Sequence, residues 1–117
     1  MTYVDGFIIA VPTARKEDYI AHAALAAPAF RRHGALRVVE TWGDDVPAGK
    51  VTDFQRSVQA TDEETVCFSW IEWPDKATRD AAMPKVFEEM ETLMKDHPMP
   101  FDGQRMVYGG FQSVLDD

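Results

Sequence analysis

The sequence predicts an α+β domain of ferredoxin-like plan: one antiparallel sheet with both helices on one face. Three observations carry that expectation. The stretch Thr65-Val66-Cys67-Phe68-Ser69-Trp70-Ile71-Glu72-Trp73 is a strand that is apolar on both sides, with Val66, Phe68 and Trp70 pointing one way and Cys67, Ile71 and Trp73 the other. Hydrophobic periodicity runs in the order strand, helix, strand, strand, strand, helix, strand; without an extra hairpin strand this is the βαββαβ arrangement. The chain has 117 residues, 45% of them hydrophobic, which suits one core and is too short for two, so residues 1–117 are expected to form one domain.

The first strand runs from Tyr3 to Val11. Its residues split into a larger row, Tyr3, Phe7, Ile9 and Val11, and a smaller one, Val4, Gly6, Ile8 and Ala10. Small residues let a helix approach closely, so the Gly6/Ala10 row is assigned to the helices and the Phe7/Ile9 row, with Asp5, to the opposite side. Thr13 is a plausible N-cap for the first helix, and Glu17 and Asp18 favour its positive end. Tyr19, Ala23, Ala27 and Phe30 recur at helical spacing, Pro28 should kink or shorten the helix, and Arg31-Arg32-His33 followed by Gly34 suits its end.

Ala35 to Trp42 reads as the second strand, and Gly43 to Lys50 as a loop. Phe54, Arg56 and Val58 alternate with Gln55, Ser57 and Gln59, which reads as the extra strand, paired as a hairpin with Thr65–Trp73. Asp75 caps a second helix, where Pro84 breaks or bends the chain and Val86, Phe87, Met90, Leu93 and Met94 form the apolar stripe. Gln104 to Val114 is the last strand, and Gly109-Gly110 within it suggests a bulge or a close backbone approach.

With both helices on one side, the other face of the sheet is left apolar and unpaired. Two such faces packed together as a symmetric homodimer would cover it. The net charge of −8 is spread along the chain, and only Arg31-Arg32 form a basic pair, which argues against nucleic acid as a ligand. No stretch is long and apolar enough to span a membrane, and the lone Cys67 fits a reducing, cytoplasmic setting.

The charged residues on the strands, Asp5, Arg37, Glu40, Glu72 and Arg105, form the candidate constellation. Charges on apolar strands are costly unless paired. Asp5 and Glu72 are the candidate catalytic acids, since a carboxylate held in apolar surroundings can serve as a general base. Arg37, Glu40 and Arg105, with Trp42 and Tyr108 as aromatic walls, are candidate ligand contacts. The structural alternative has the same charges fixing register or lining the dimer interface. His22, His33 and His97 have no metal-type spacing, and no metal or cofactor is expected. His33 reads as a cap, His22 as a packing residue and Cys67 as an inert buried thiol.

Blocks of sequence along nearly the whole chain resemble the YbaA-like family of small bacterial proteins. They include Tyr3-Val4-Asp5-Gly6-Phe7, Gly34-Ala35-Leu36-Arg37, Asp45-Val46-Pro47 and Gly49-Lys50-Val51-Thr52-Asp53-Phe54. Phe68-Ser69-Trp70-Ile71-Glu72, Arg79-Asp80-Ala81-Ala82, Met99-Pro100-Phe101-Asp102-Gly103 and Tyr108-Gly109-Gly110-Phe111 continue the match. The resemblance implies the dimeric α/β-barrel superfamily and transfers no catalytic residues. The functional expectation is a homodimer that binds a small, partly aromatic or carboxylated metabolite between sheet and helices, with proton-transfer or cofactor-independent oxidation chemistry. The alternative is a non-enzymatic dimeric module that binds a protein or regulates by association.

Overall fold

The computed structural model describes all residues, 1–117. Its sheet has four antiparallel strands in the order β2-β3-β1-β4. The inner pair is β1 (Tyr3–Pro12) and β3 (Glu64–Trp73), in register from Tyr3 opposite Trp73 to Pro12 opposite Glu64. The short β2 (Arg37–Glu40) lies on β3, with Arg37 opposite Glu72 and Glu40 opposite Ser69. β4 (Val107–Gln112) closes the other edge against β1.

Helix α1 (Lys16–Arg32) follows β1 through a 3-10 turn at Thr13–Arg15. Thr13 does not cap it: its hydroxyl bonds that of Thr65, and its backbone N–H donates to Glu63. The helix runs on past Pro28, as the longer helix after β3 runs on past Pro84. One lost hydrogen bond in each is outweighed by burial of neighbours, Ala26 and Ala29 in one and Ala82 and Val86 in the other. Gly34, at φ +111°, ends α1 in the left-handed region, and the Ala35 N–H donates back to the Phe30 carbonyl.

The stretch expected to be an extra hairpin strand is instead a single helical turn, α2 (Phe54–Ser57). Asp53 caps it by accepting from the backbone N–H groups of Arg56 and Gly49. Phe54 and Val58 are also four residues apart, so the spacing that suggested alternation serves one face of a helical turn equally well. Val58 is buried against Ala10 and Val66, which places this segment over one end of the sheet on the side away from α1. The helix after β3 is α3 (Lys76–Met94), and Asp75 caps it by accepting from the Thr78 N–H.

The sheet turns its faces opposite to expectation. Tyr3, Phe7, Ile9 and Val11 pack with Cys67, Ile71 and Trp73 against the helices, in clusters that include Tyr19, Phe30 and Ala82. The smaller row of β1 lies on the other side. The helices are themselves rich in alanine where they meet the sheet, so close approach comes from the helix side and the large residues belong to the strands. Asp5 is accordingly beneath the helices, 2% exposed.

Gly109 and Gly110 pair regularly with Gly6 and Asp5, without a bulge. A Cβ on Gly110 would lie 2.3 Å from the Tyr3 hydroxyl, so the close approach is the reason for glycine there. The face away from the helices carries Val4, Ile8, Val39, Phe68, Trp70, Val107 and Phe111. Phe68 stands 44% exposed and Phe111 62%; the α2 segment covers this face at one end.

Candidate functional site

Along α1, Tyr19, His22, Ala23, Ala26 and Phe30 recur on one side of the helix and look down on the sheet. Beneath them lie Phe7 and Ile9 of β1, Glu40 of β2, and Ser69 and Ile71 of β3. Met90 of α3, with Phe101 and Met106 from the segment before β4, completes the wall. The pocket they line holds about 130 Å³ and is partly open to solvent. A dry apolar cavity of about 150 Å³ holds a benzene ring, so this one is of single-ring size. A larger depression of about 670 Å³ lies along α1 between Ala24, Pro28, Arg31, Arg32 and Leu36, but it is shallow and its charged groups are two arginines with no acid or histidine beside them.

The polar groups of the cavity are few and arranged by register. Pairing of β2 with β3 sets Glu40 beside Ser69, and the turn of α1 sets Tyr19 above them. The Tyr19 hydroxyl donates to Glu40 Oε2. Glu40 sits on the edge strand with part of its chain open to water, while its carboxyl group turns inward onto Tyr19. Burial raises the pKa of that carboxyl, against the opposing effect of the hydroxyls of Tyr19 and Ser69. Tyr19 is also raised, by burial first and then by the Glu40 charge. The Cys67 thiol next to them is pushed up to about 11, again by burial first and Glu40 second, which fits an unreactive thiol.

One turn on from Tyr19, the His22 ring meets the edge of Phe101 at a centroid distance of 5.9 Å. Its Nε2 is buried and has no hydrogen-bond partner, and burial lowers its pKa below the usual imidazole value. No group of three or more His, Cys, Asp or Glu side chains converges so as to hold a metal ion.

The residues singled out in the sequence lie in separate places. Glu40 is at the cavity, and Trp42, outside its lining, packs on Tyr19 with ring centroids 5.9 Å apart and Lys16 above its ring. Asp5 is held by Arg79 and by the Trp73 indole N–H, away from the cavity lining. Glu72 faces the open side of the sheet, where it accepts from the Trp70 indole N–H and meets Arg37 at 3.7 Å. Arg105 is committed to Glu64 and Asp102, and also donates to the Gln59 carbonyl. Tyr108, 70% exposed, stacks loosely on Phe7 from the edge strand. Tyr19, Ser69 and His22 did not stand out in the sequence as site residues. The signal for Tyr19 and His22 was present: two polar-tipped rings, three residues apart, on the apolar stripe of a helix.

A family model described as "Protein of unknown function (DUF1428)" matches residues 2–103. The uncharacterised protein YbaA of Escherichia coli strain K12 is 53% identical over 117 residues, all of both chains, and that of Shigella flexneri is equally similar. Among solved structures, a dimeric ferredoxin-like protein from an uncultured marine organism superposes with TM-score 0.64 at 10% identity, covering 99% of this chain and 98% of that one. SnoaB of Streptomyces nogalater, a cofactor-independent oxygenase, superposes with TM-score 0.59 at 16% identity, over 98% of this chain and 95% of its own. At such identities the likeness shows the ferredoxin-like α+β fold and nothing about chemistry.

Proposed function

We propose a function from the premise that this chain belongs to the DUF1428 family: it is a homodimer that binds a small aromatic metabolite between sheet and helices and transfers a proton through Glu40. The observation that carries this reading is the Tyr19–Glu40–Ser69 cluster, set into the wall of a largely apolar cavity of single-ring size. A carboxylate whose charged form is disfavoured by burial takes up a proton more readily than one in water, which is what a general base needs. Of the two ligand types expected from the sequence, the lining supports the aromatic one, because it contains phenylalanines and no lysine or arginine.

The open sheet face supports the homodimer. It presents a continuous apolar row, and a dimeric protein shares the fold. The charged residues on that face, Arg37 and Glu72, already pair within the chain and can enter an interface as a neutralised unit. A cytoplasmic location fits the acidic composition and the absence of any helix long and apolar enough to cross a membrane.

The test is a thermal-shift screen of single-ring aromatics on the wild type and Glu40→Gln, with sedimentation run in parallel. Ligands that stabilise the wild type, together with loss of proton-transfer activity in Glu40→Gln, support the reading. A protein that sediments as a monomer and responds to no aromatic compound overturns it.

A further inference from the structure

We propose that His22 is the ligand's hydrogen-bonding partner and that the cavity takes an uncharged single-ring phenol. This deepens the reading above and rests on it. A cavity of about 130 Å³ walled by Phe7, Phe30 and Phe101 fits one aromatic ring. Tyr19 and Glu40 already satisfy each other, whereas His22, which lines both this cavity and the polar hollow beside it, has a buried Nε2 with no partner. An unpaired buried nitrogen is costly, and a ligand that supplies its hydrogen bond removes that cost.

The chemistry of the lining narrows the ligand further. No lysine or arginine is present, so a carboxylate or phosphate entering the cavity would lose its water without gaining a counter-charge. Burial favours the neutral imidazole of His22, so that ring does not supply the charge either. A phenolic hydroxyl both donates and accepts, and therefore satisfies Nε2 in either tautomer. A hydrocarbon ring of the same size would fill the space and leave Nε2 unpaired.

Calorimetric titration of the full chain with phenol, toluene and benzoate tests this, using the wild type, His22→Phe, His22→Leu and His22→Gln, each checked for folding by circular dichroism. The wild type is expected to bind phenol about tenfold more tightly than toluene, the scale of one hydrogen bond that relieves a buried polar group, and benzoate most weakly. His22→Phe or His22→Leu loses the preference for phenol while still binding toluene; either variant that folds is sufficient. His22→Gln, which keeps an amide near the same place, retains part of the preference. Asp18→Asn, in the polar hollow that His22 also lines, leaves phenol binding unchanged. Equal binding of toluene and phenol, tightest binding of benzoate, or a phenol preference that survives without His22 overturns this inference alone. Failure of all three compounds to bind overturns the cavity reading on which it rests.

Discussion

Arg79 of α3 grips Asp5 of β1 from 74 positions along the chain: its Nη2 donates to Oδ1 at 2.8 Å, and its Nε lies 3.2 Å from both carboxylate oxygens. The Trp73 indole N–H donates to the same carboxylate at 2.9 Å. The acid that looked misplaced in the sequence is therefore a peg between β1 and α3. Its position in the middle of an apolar strand is stabilised by these three donor groups.

Replacing Arg79 with Met leaves the Asp5 carboxylate buried without its counter-charge. Loss of one partner of a buried pair costs about 3–5 kcal/mol. Urea unfolding should show a loss of this size for Arg79→Met, and a smaller one for the double variant Asp5→Asn/Arg79→Met, which removes the stranded charge.

Glu40 sets a pH dependence. Its folded pKa lies above the ordinary carboxylate value, so between the two values the folded state binds the proton that the unfolded state has lost. Stability contributed by the protonated form is complete below the unfolded value and declines as pH rises through the folded one. Glu40→Gln keeps an acceptor for Tyr19 and should remove this decline, so the variant matches or exceeds wild-type stability at pH 7–8. Thermal unfolding followed across pH checks it.

Glu64 acts in the opposite sense. The Arg105 guanidinium forms two hydrogen bonds with its carboxylate and holds its pKa at about 2. The pair stabilises the fold above the ordinary glutamate value, and that contribution is lost as pH falls toward 2. Glu64→Gln should be less stable than the wild type at neutral pH and lose less of its stability on acidification.

Phe68 and Phe111 occupy the open face on strands either side of β1. A charge at either position is expected to split the homodimer while leaving the chain folded. Sedimentation of Phe68→Glu and Phe111→Glu should give a single-chain species where the wild type gives two, with unchanged far-ultraviolet dichroism.

Much of the fold could be read from the sequence because β1 and β3 alternate strongly and Asp75 and Gly34 mark helix ends. The assignment of the sheet faces failed because strand residue size alone says nothing of the alanines opposite it on α1 and α3. Asp53 hid the nature of residues 54–58, since a capping aspartate reads in sequence as an ordinary loop acid. Of the site, Glu40 was visible as a charge on an apolar strand. Tyr19 and Ser69 became meaningful only through register and helix phase, which bring residues 19, 40 and 69 together across three elements.

The most direct measurement is a nuclear magnetic resonance titration of the wild type with phenol, observing backbone amides and methionine methyls. The account predicts saturable shifts at His22, Ser69, Met90 and Met106, the lining of the cavity between sheet and helices. Shifts confined to the open face around Phe68 and Phe111, or no saturable shift at all, would contradict it.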